Sequence, residues 1–349
     1  MLATGAGAAF AIQRCSSPAV AAEPAARISG LTSFTVVSQV LPATSPTGSR
    51  VRSSPRFVFL VNAAAGTGLA PRRLDALLTK HPELASRSRI VRSKSPAELD
   101  AVLRLDDDEI PTAVGGDGSF NALVTLMDRR GELQRPLALV PFGTGNATAH
   151  TLGLRSASVA VAALERGDTM PLDIMRTSIP QAPIALVSCS TGFESNFLQR
   201  YSALRYRSRQ WAGWSALLLN VPKRTRGVSL RVDGTDWVKP SELVHNVGVY
   251  NIPHYAFGKV MWRGMQANDG LAIAAEVSSP VWYWNLIALG VTAPTERNLS
   301  EQRLPGVRTI RWHTATLSTP LTIQIDGESI EAKHAELTVD PRAVTAICA

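Results

Sequence analysis

A chain of 349 residues, 45% hydrophobic and 18% charged, is long enough to bury a sizeable core and divides most simply into two domains. Its formal charge of +8 points to anionic partners such as a nucleotide, a nucleic acid or a membrane surface, without choosing among them. Cys15, Cys189 and Cys348 lie far apart with no metal-ligand spacing, which argues against a zinc module and a disulfide scaffold and fits a reducing compartment.

Residues 1–55 are rich in Ala, Ser, Pro and Thr, show no sustained period, and read as a disordered tail or a processed segment. Up to position 56, the arginines Arg14, Arg27, Arg50, Arg52 and Arg56 face the single acid Glu23, so much of the net charge lies outside the expected fold. Leu2 to Ile12 has the texture of a signal-peptide apolar region but no preceding positive charge; the scarcity of acids also suits a transit peptide. The longest apolar runs, near Trp211–Val221 and Val281–Val291, are shorter than the roughly 18 to 20 residues a membrane-spanning helix needs. A cytoplasmic, peripherally membrane-associated protein is therefore expected.

From Phe57 the texture changes. FVFLVN is a short apolar run that reads as a strand, ending in a turn with Gly66 and Gly68 and followed by a helix over about Pro71–Lys80. A second strand near Ser88–Arg92 leads to Ser95-Pro96-Ala97-Glu98, an N-cap, a first-position proline and a capping-box glutamate for a helix through Arg104. A third strand, Ile110–Val114, runs into Gly115-Gly116-Asp117-Gly118-Ser119 and a helix whose Phe120, Leu123, Val124 and Met127 recur at helical spacing. The fourth strand, Leu137–Val140, meets Pro141-Phe142-Gly143-Thr144-Gly145-Asn146 and opens another helix. Alternating strands and helices, with unbroken apolar strands, predict an α/β domain with a parallel sheet over 56–172, its ligands at the carboxyl ends of the strands. After Leu172 come short segments such as Val228–Val232, Val244–Tyr250, Leu271–Val277 and Leu321–Ile325, which predict a largely antiparallel β domain over 173–349. The last strand is a candidate to return to the first domain.

The glycines of GGDGS allow a tight turn and close approach of a phosphate to the main chain, and the following helix offers free N–H groups. A plain strand-to-helix turn would use glycines too. Asp117 beside a bound phosphate is repulsive unless Mg²⁺ or a transferable proton lies between them, so it favours metal or base chemistry. Thr144 and Asn146 add hydrogen-bonding groups at the neighbouring strand end.

The ordered set Asn62 with Gly66 and Gly68, GGDGS at 115–119, PFGTGN at 141–146, then Asp173, Gly192, Asn251, Asp269-Gly270 and Asp326-Gly327-Glu328 resembles the diacylglycerol kinase catalytic-domain superfamily. That superfamily includes bacterial diacylglycerol kinase-like lipid kinases, sphingosine kinases and ceramide kinases. The resemblance spans about Arg56 to the C-terminus. It implies an N-terminal domain similar to the phosphofructokinase and NAD kinase nucleotide domain, a C-terminal β-sandwich that takes the lipid, and ATP with Mg²⁺ as cofactors. On this resemblance Asn62, Gly66 and Thr67 belong to the first nucleotide loop, Gly115, Gly116, Gly118 and Ser119 to the phosphate loop, and Gly143, Thr144 and Asn146 to the third contact. It makes Asp326, Asp117 and Glu328 the catalytic acids, Asp117 also a metal contact, and Asp173 a substrate contact. An ordinary hairpin turn is the other reading of Asp326-Gly327.

The chain departs from the family's pattern at Ala63-Ala64-Ala65, at Ala122, where an acid is common, and at Ala147 and His150, where many bacterial members carry Asp and Arg. These losses leave the acceptor lipid open and admit a catalytically weak nucleotide- or lipid-binding protein as an alternative. NAD kinase is a further one, although its usual Asn-Glu pair after the glycine turn is missing. Ser195–Val232 holds no acid and eight basic residues, among them Arg205, Arg207 and Arg209, interleaved with Trp211, Trp214 and Leu217–Leu219. It suits docking on an anionic membrane surface, or equally a solvated helix with one apolar face. Trp282, Tyr283 and Trp284 suit an acyl-chain pocket or the core, and the lone His245, His254 and His313 suit structural roles. A homodimer is compatible with all of this; nucleic acid is not an expected partner, because no recognition motif accompanies the charge.

Overall fold

The apolar runs of the first half form a four-stranded sheet because each is flanked by turn residues and is long enough to cross a domain core. β1 (Arg56–Asn62), β2 (Ser88–Ser93), β3 (Glu109–Gly115) and β4 (Ala138–Pro141) pair in the order β2-β1-β3-β4, and every pairing is parallel. The computed structural model describes residues 55–62, 69–93, 95–143, 145–204, 223–255, 258–262, 264–279 and 307–349. Every residue of β3 is buried, as befits a strand covered on both faces.

Helices α1 (Ala70–Lys80), α2 (Pro82–Ser86), α3 (Pro96–Val102), α4 (Asp117–Arg129), α5 (Ala147–Thr151) and α6 (Ala157–Arg166) accompany this sheet. The Ser95 hydroxyl accepts the Glu98 N–H at 3.1 Å, the predicted N-cap. α3 stops at Val102, before the expected Arg104, because Leu103 turns extended and buries its side chain completely. α6 begins at a second serine cap, Ser156 accepting the Val159 N–H, and ends at Gly167, whose N–H returns to the Ala163 carbonyl.

The second half contains β5 (Thr169–Thr177), β6 (Ile184–Ala185), β7 (Ser188–Gly192), α7 (Phe193–Leu204), β8 (Ser229–Val232), β9 (Thr235–Val238) and β10 (Asn246–Tyr250). It continues with the small hairpin β11 (His254–Tyr255) and β12 (Lys259–Val260), then β13 (Ala272–Val277), β14 (Val307–Trp312), β15 (Thr314–Ser318), β16 (Ile323–Ile325), β17 (Glu328–Ile330) and β18 (His334–Ile347). Two antiparallel six-stranded sheets result, ordered β14-β13-β10-β7-β16-β17 and β6-β5-β18-β15-β8-β9. Val247, Trp312, Leu317, Ile323 and Leu337 belong to the core they enclose, and the arrangement is a β-sandwich.

β18 ties the two halves together. A bulge between Asp340 and Val344 redirects it, and beyond the bulge Val344–Ile347 pairs with Thr169–Leu172. Leu137, just before β4, donates its N–H to the Thr345 carbonyl at 2.9 Å and accepts the Ile347 N–H at 2.8 Å. Residues 172 and 173 are consecutive within β5, so one strand runs through the expected domain boundary. Among the described residues no helix is long and apolar enough to cross a membrane. Arg205, Arg207, Arg209, Trp211, Trp214 and Leu217–Leu219 of the basic stretch, and Trp282, Tyr283 and Trp284, lie outside the described residues.

Candidate active site

The carboxyl ends of β1, β3 and β4 lie along one edge, since Val61 pairs with Val114 and Gly115 with Pro141. Asn62 ends β1 at that edge; Gly66, Thr67 and Thr144 lie outside the described residues. The two glycine turns rest on each other. The Gly115 carbonyl accepts the N–H groups of Phe142 at 2.7 Å and Gly143 at 3.0 Å. A Cβ at Gly143 would stand 2.4 Å from the Gly116 Cα, so only glycine lets the turns meet. Asn146 adopts the left-handed conformation, with φ 52°, and donates from Nδ2 to the Gly143 carbonyl at 2.9 Å. Its Oδ1 is buried with no partner among the described residues.

Asp117 has a structural duty that its sequence position did not disclose. Its carboxylate accepts the N–H groups of Ala147 at 3.0 Å and Thr148 at 2.8 Å, capping α5. Thus the head of α5 is occupied by a carboxylate of the chain, whereas the head of α4 has no side-chain cap. Gly118 is exposed there, with nothing within 4 Å of where a Cβ would sit, and Ser119 is half-buried beside it. An uncapped helix head, two interlocked glycine turns and the orphaned Asn146 oxygen fit a polyphosphate and its nucleotide. The fit for a metal is narrower. Among the described residues no three His, Cys, Asp or Glu side chains converge to hold an ion, so a metal held near Asp117 would need phosphate oxygens and water as its main ligands.

Asp326 approaches this edge from the other half of the chain. It and Gly327, with φ 47° and 88°, form the two-residue turn between β16 and β17, so the hairpin reading of this dipeptide holds. Its carboxylate also accepts the N–H groups of Leu186 and Val187 at 2.8 Å and Ser188 at 3.0 Å, and the Nδ2 group of Asn121 at 2.7 Å. Burial pushes this carboxyl above the ordinary aspartate value, while the four hydrogen bonds pull the other way. Asn121 lies one helical turn after Asp117 on α4, so the two acids reach the same helix on adjacent turns. Asn121 was missed in the sequence; the i, i+4 spacing from Asp117 was the available signal. Glu328, just past the turn, is exposed.

Asp173 lies inside the protein. It is 1% exposed, and its two oxygens accept the Gly270 and Arg342 N–H groups, both at 2.7 Å. Burial raises its pKa, against the pull of those two amides. Instead of an open substrate contact, the geometry is that of an interior pin. Asn251 continues the seam by donating to the carbonyls of Asp173 at 2.8 Å and Leu186 at 3.1 Å, and Asp269 is ion-paired with Arg311. His254 is not alone: its ring stands 6.0 Å from that of His150, and it shares a hydrogen bond with Thr151 at 3.1 Å.

Residues 56–177 match the family model of the diacylglycerol kinase catalytic domain. "Probable lipid kinase YegS-like" of Stenotrophomonas maltophilia is 22% identical over 250 residues, 68% of this chain and 77% of that protein. Sphingosine kinase B of Dictyostelium discoideum is 40% identical over 65 residues, 18% of this chain and 9% of that protein. The fold is similar to that of a diacylglycerol kinase from Bacillus anthracis str. Sterne, with a TM-score of 0.60 and 18% identity over 84% of this chain and 97% of that one. Residues 56–177 are thus similar to the diacylglycerol kinase catalytic domain, and the fold of the α/β half with its sandwich is similar to that of a diacylglycerol kinase.

Proposed function

We propose that this chain is an ATP-dependent lipid kinase that transfers the γ-phosphoryl group to a lipid hydroxyl of a diacylglycerol, a sphingoid base or a related lipid. The observation that carries the reading is the link from Asp326 through Asn121 to α4, which brings the Asp326-Gly327-Glu328 turn beside a helix head that no side chain caps. The amides of Gly116 and Gly118 and the Ser119 hydroxyl would take the phosphates, and the second turn, with Gly143, Thr144 and Asn146, would face the rest of the nucleotide. Asn62, Gly66 and Thr67 would close the first loop. Bound Mg²⁺ would neutralise charge on the transferring phosphate.

The three candidate acids divide by what their oxygens already do. Asp117 and Asp326 are committed to backbone amides and hold the geometry. Glu328 remains exposed and is the group we assign to accept the proton of the attacking hydroxyl. The names of the relatives, a lipid kinase and a sphingosine kinase, support the acceptor class. The basic stretch 195–232 supports a peripheral dock on anionic lipid.

The test is labelled ATP with a panel of diacylglycerol, monoacylglycerol, sphingoid base and ceramide in anionic vesicles. One labelled lipid is expected, and Glu328→Gln should lower its rate by about 100- to 10,000-fold. Absence of product across the panel would overturn the reading. If calorimetry then showed ATP bound without turnover, the chain would be a nucleotide-binding member that has lost catalysis, which the alanines at 122 and 147 favour.

A further inference from the structure

Glu194 opens α7 and is 4% exposed, yet it takes no part in the site described above. Its Oε2 accepts the Ser190 hydroxyl at 2.5 Å, its Oε1 accepts the Tyr250 hydroxyl at 2.9 Å, and its own N–H donates to the Asn246 Oδ1 at 3.0 Å. Ser190 sits on β7 directly opposite Gln324 of β16. Gln324 is 1% exposed, and both ends of its amide are engaged. Nε2 donates to the Ser190 Oγ at 2.9 Å and the Ser188 Oγ at 3.0 Å, while Oε1 accepts the Gly327 N–H at 2.9 Å.

The direction of this chain is fixed at its Gly327 end. A backbone N–H can only donate, so the Gln324 atom facing Gly327 must be the oxygen, and its NH₂ must face the serines. Burial raises the pKa of Glu194, while the hydroxyls of Ser190 and Tyr250 pull it down by donating to the charged form; as a carboxylate it accepts the Ser190 proton, and the Ser190 oxygen is left to receive the Gln324 amide. Each bond polarises the next in the same sense, from Gly327 toward Glu194.

The group held at the far end matters because the Asp326–Gly327 peptide is the central unit of a two-residue hairpin turn. Strand pairing holds Ile325 and Glu328 on either side of it. Nothing in the ladder holds the plane between them, and a half-turn of that plane interconverts the two common hairpin turns. The Asp326 carboxylate, on the amides of 186–188, secures one side of the turn. Gln324 secures the peptide plane itself.

We infer that Gln324 is a positioning residue for the Asp326-Gly327-Glu328 turn, its amide oriented by the buried Glu194 through Ser190. The effect on rate rests on the kinase reading; the hold on the turn does not. Gln324→Leu removes the acceptor for Gly327. Glu194→Gln keeps the shape but supplies a donor, which lets Ser190 reverse its proton and drives the Gln324 oxygen toward the serines, away from Gly327.

The test measures amide exchange at Gly327 by NMR, together with kcat and KM, in the full chain. Both variants should speed exchange at Gly327 by about tenfold or more, with protection of the core strands unchanged. They should lower kcat by about 10- to 100-fold while leaving the KM for ATP within about twofold. The double variant should be no worse than the poorer single one, since both act through one amide. Unchanged Gly327 exchange in folded Gln324→Leu, or additive losses in the double variant, overturns the inference. Should Gln324→Leu fail to fold, Glu194→Gln alone decides it by the same exchange measurement. A wild-type chain that phosphorylates no lipid would sink the kinase reading, and the exchange result would still decide whether Gln324 holds the turn.

Discussion

A methyl group at Gly143 has no free space: the Gly116 Cα would lie at 2.4 Å, the Asn146 Oδ1 at 2.6 Å and the Gly116 N at 2.9 Å. Backbone cannot swing aside as a side chain can, so Gly143→Ala should part the two glycine turns. The expected cost is about 2–4 kcal/mol of stability, read by urea unfolding, together with loss of calorimetric ATP binding. Asp117 poses the opposite case, since its carboxylate can be made neutral with little change of shape. Asp117→Asn keeps one oxygen for the α5 amides and loses the charge at that helix head, which should cost about 1 kcal/mol. A rate that falls by the same factor as the folded fraction would make Asp117 a structural cap alone; a much larger fall would give it chemistry as well. The glycines were legible in the sequence because a tight turn and a close approach each demand them locally. The duty of Asp117 was not, because the amides it caps come 30 residues later and nothing in the spacing announces which helix will lie beside it. The burial of Asp173 was not legible for the same reason: its amide partners belong to Gly270 and Arg342.

Most strands and helices of the first half were legible nearly to their ends, since apolar runs and caps are local signals; the short α2 was overlooked, as was α6, although α6 carries a serine cap and a terminal glycine. The docking of α5 on the hairpin of β11 and β12 was not legible, because β11 is two residues long and carries no period. There the ring of His150 lies against Gly258, where a Cβ would come within 2.4 Å of it, and the ring of His254 is its neighbour. Burial, then the charges of His150 and Arg155, lower the pKa of His254 to about 4. Burial and Arg155 also lower that of His150, with Asp117 opposing. Between pH 6.5 and about 4 the unfolded chain therefore takes up a proton at His254 that the folded chain refuses, and stability falls as the pH drops through that window. After discounting for the ring's partial exposure, the loss attributable to His254 is about 2 kcal/mol. Urea midpoints of wild type and His254→Gln, compared at pH 7 and pH 4.5, should show a smaller acid loss in the variant; equal losses would remove His254 from the account.

The two halves are bound into one molecule by residues that sequence order keeps far apart. The core of the α/β half takes in Leu186, Val187 and Ile252 from the middle of the chain and Val344, Ala346 and Ile347 from its last strand. A boundary near 172 looks natural in the sequence because the hydrophobic period changes there, but β5 crosses it, and β18 pairs with β5 on both sides of the bulge. Val344 and Ile347 are each at most 1% exposed, and burying a side chain of this size contributes about 1.5–3 kcal/mol. Against a typical total of about 5–15 kcal/mol, losing both, with the two hydrogen bonds at Leu137, removes a large share of the stability. A fragment of residues 56–177, the extent of the catalytic-domain match, should therefore give no cooperative thermal transition and a poorly dispersed amide spectrum. The full chain should unfold in one transition seen alike by far-UV and tryptophan signals, and a chain shortened to residue 343 should melt at a lower temperature in that same single step. A fragment that melts cooperatively by itself would show that the α/β half supplies its own core, and the coupling through β18 would then be dispensable.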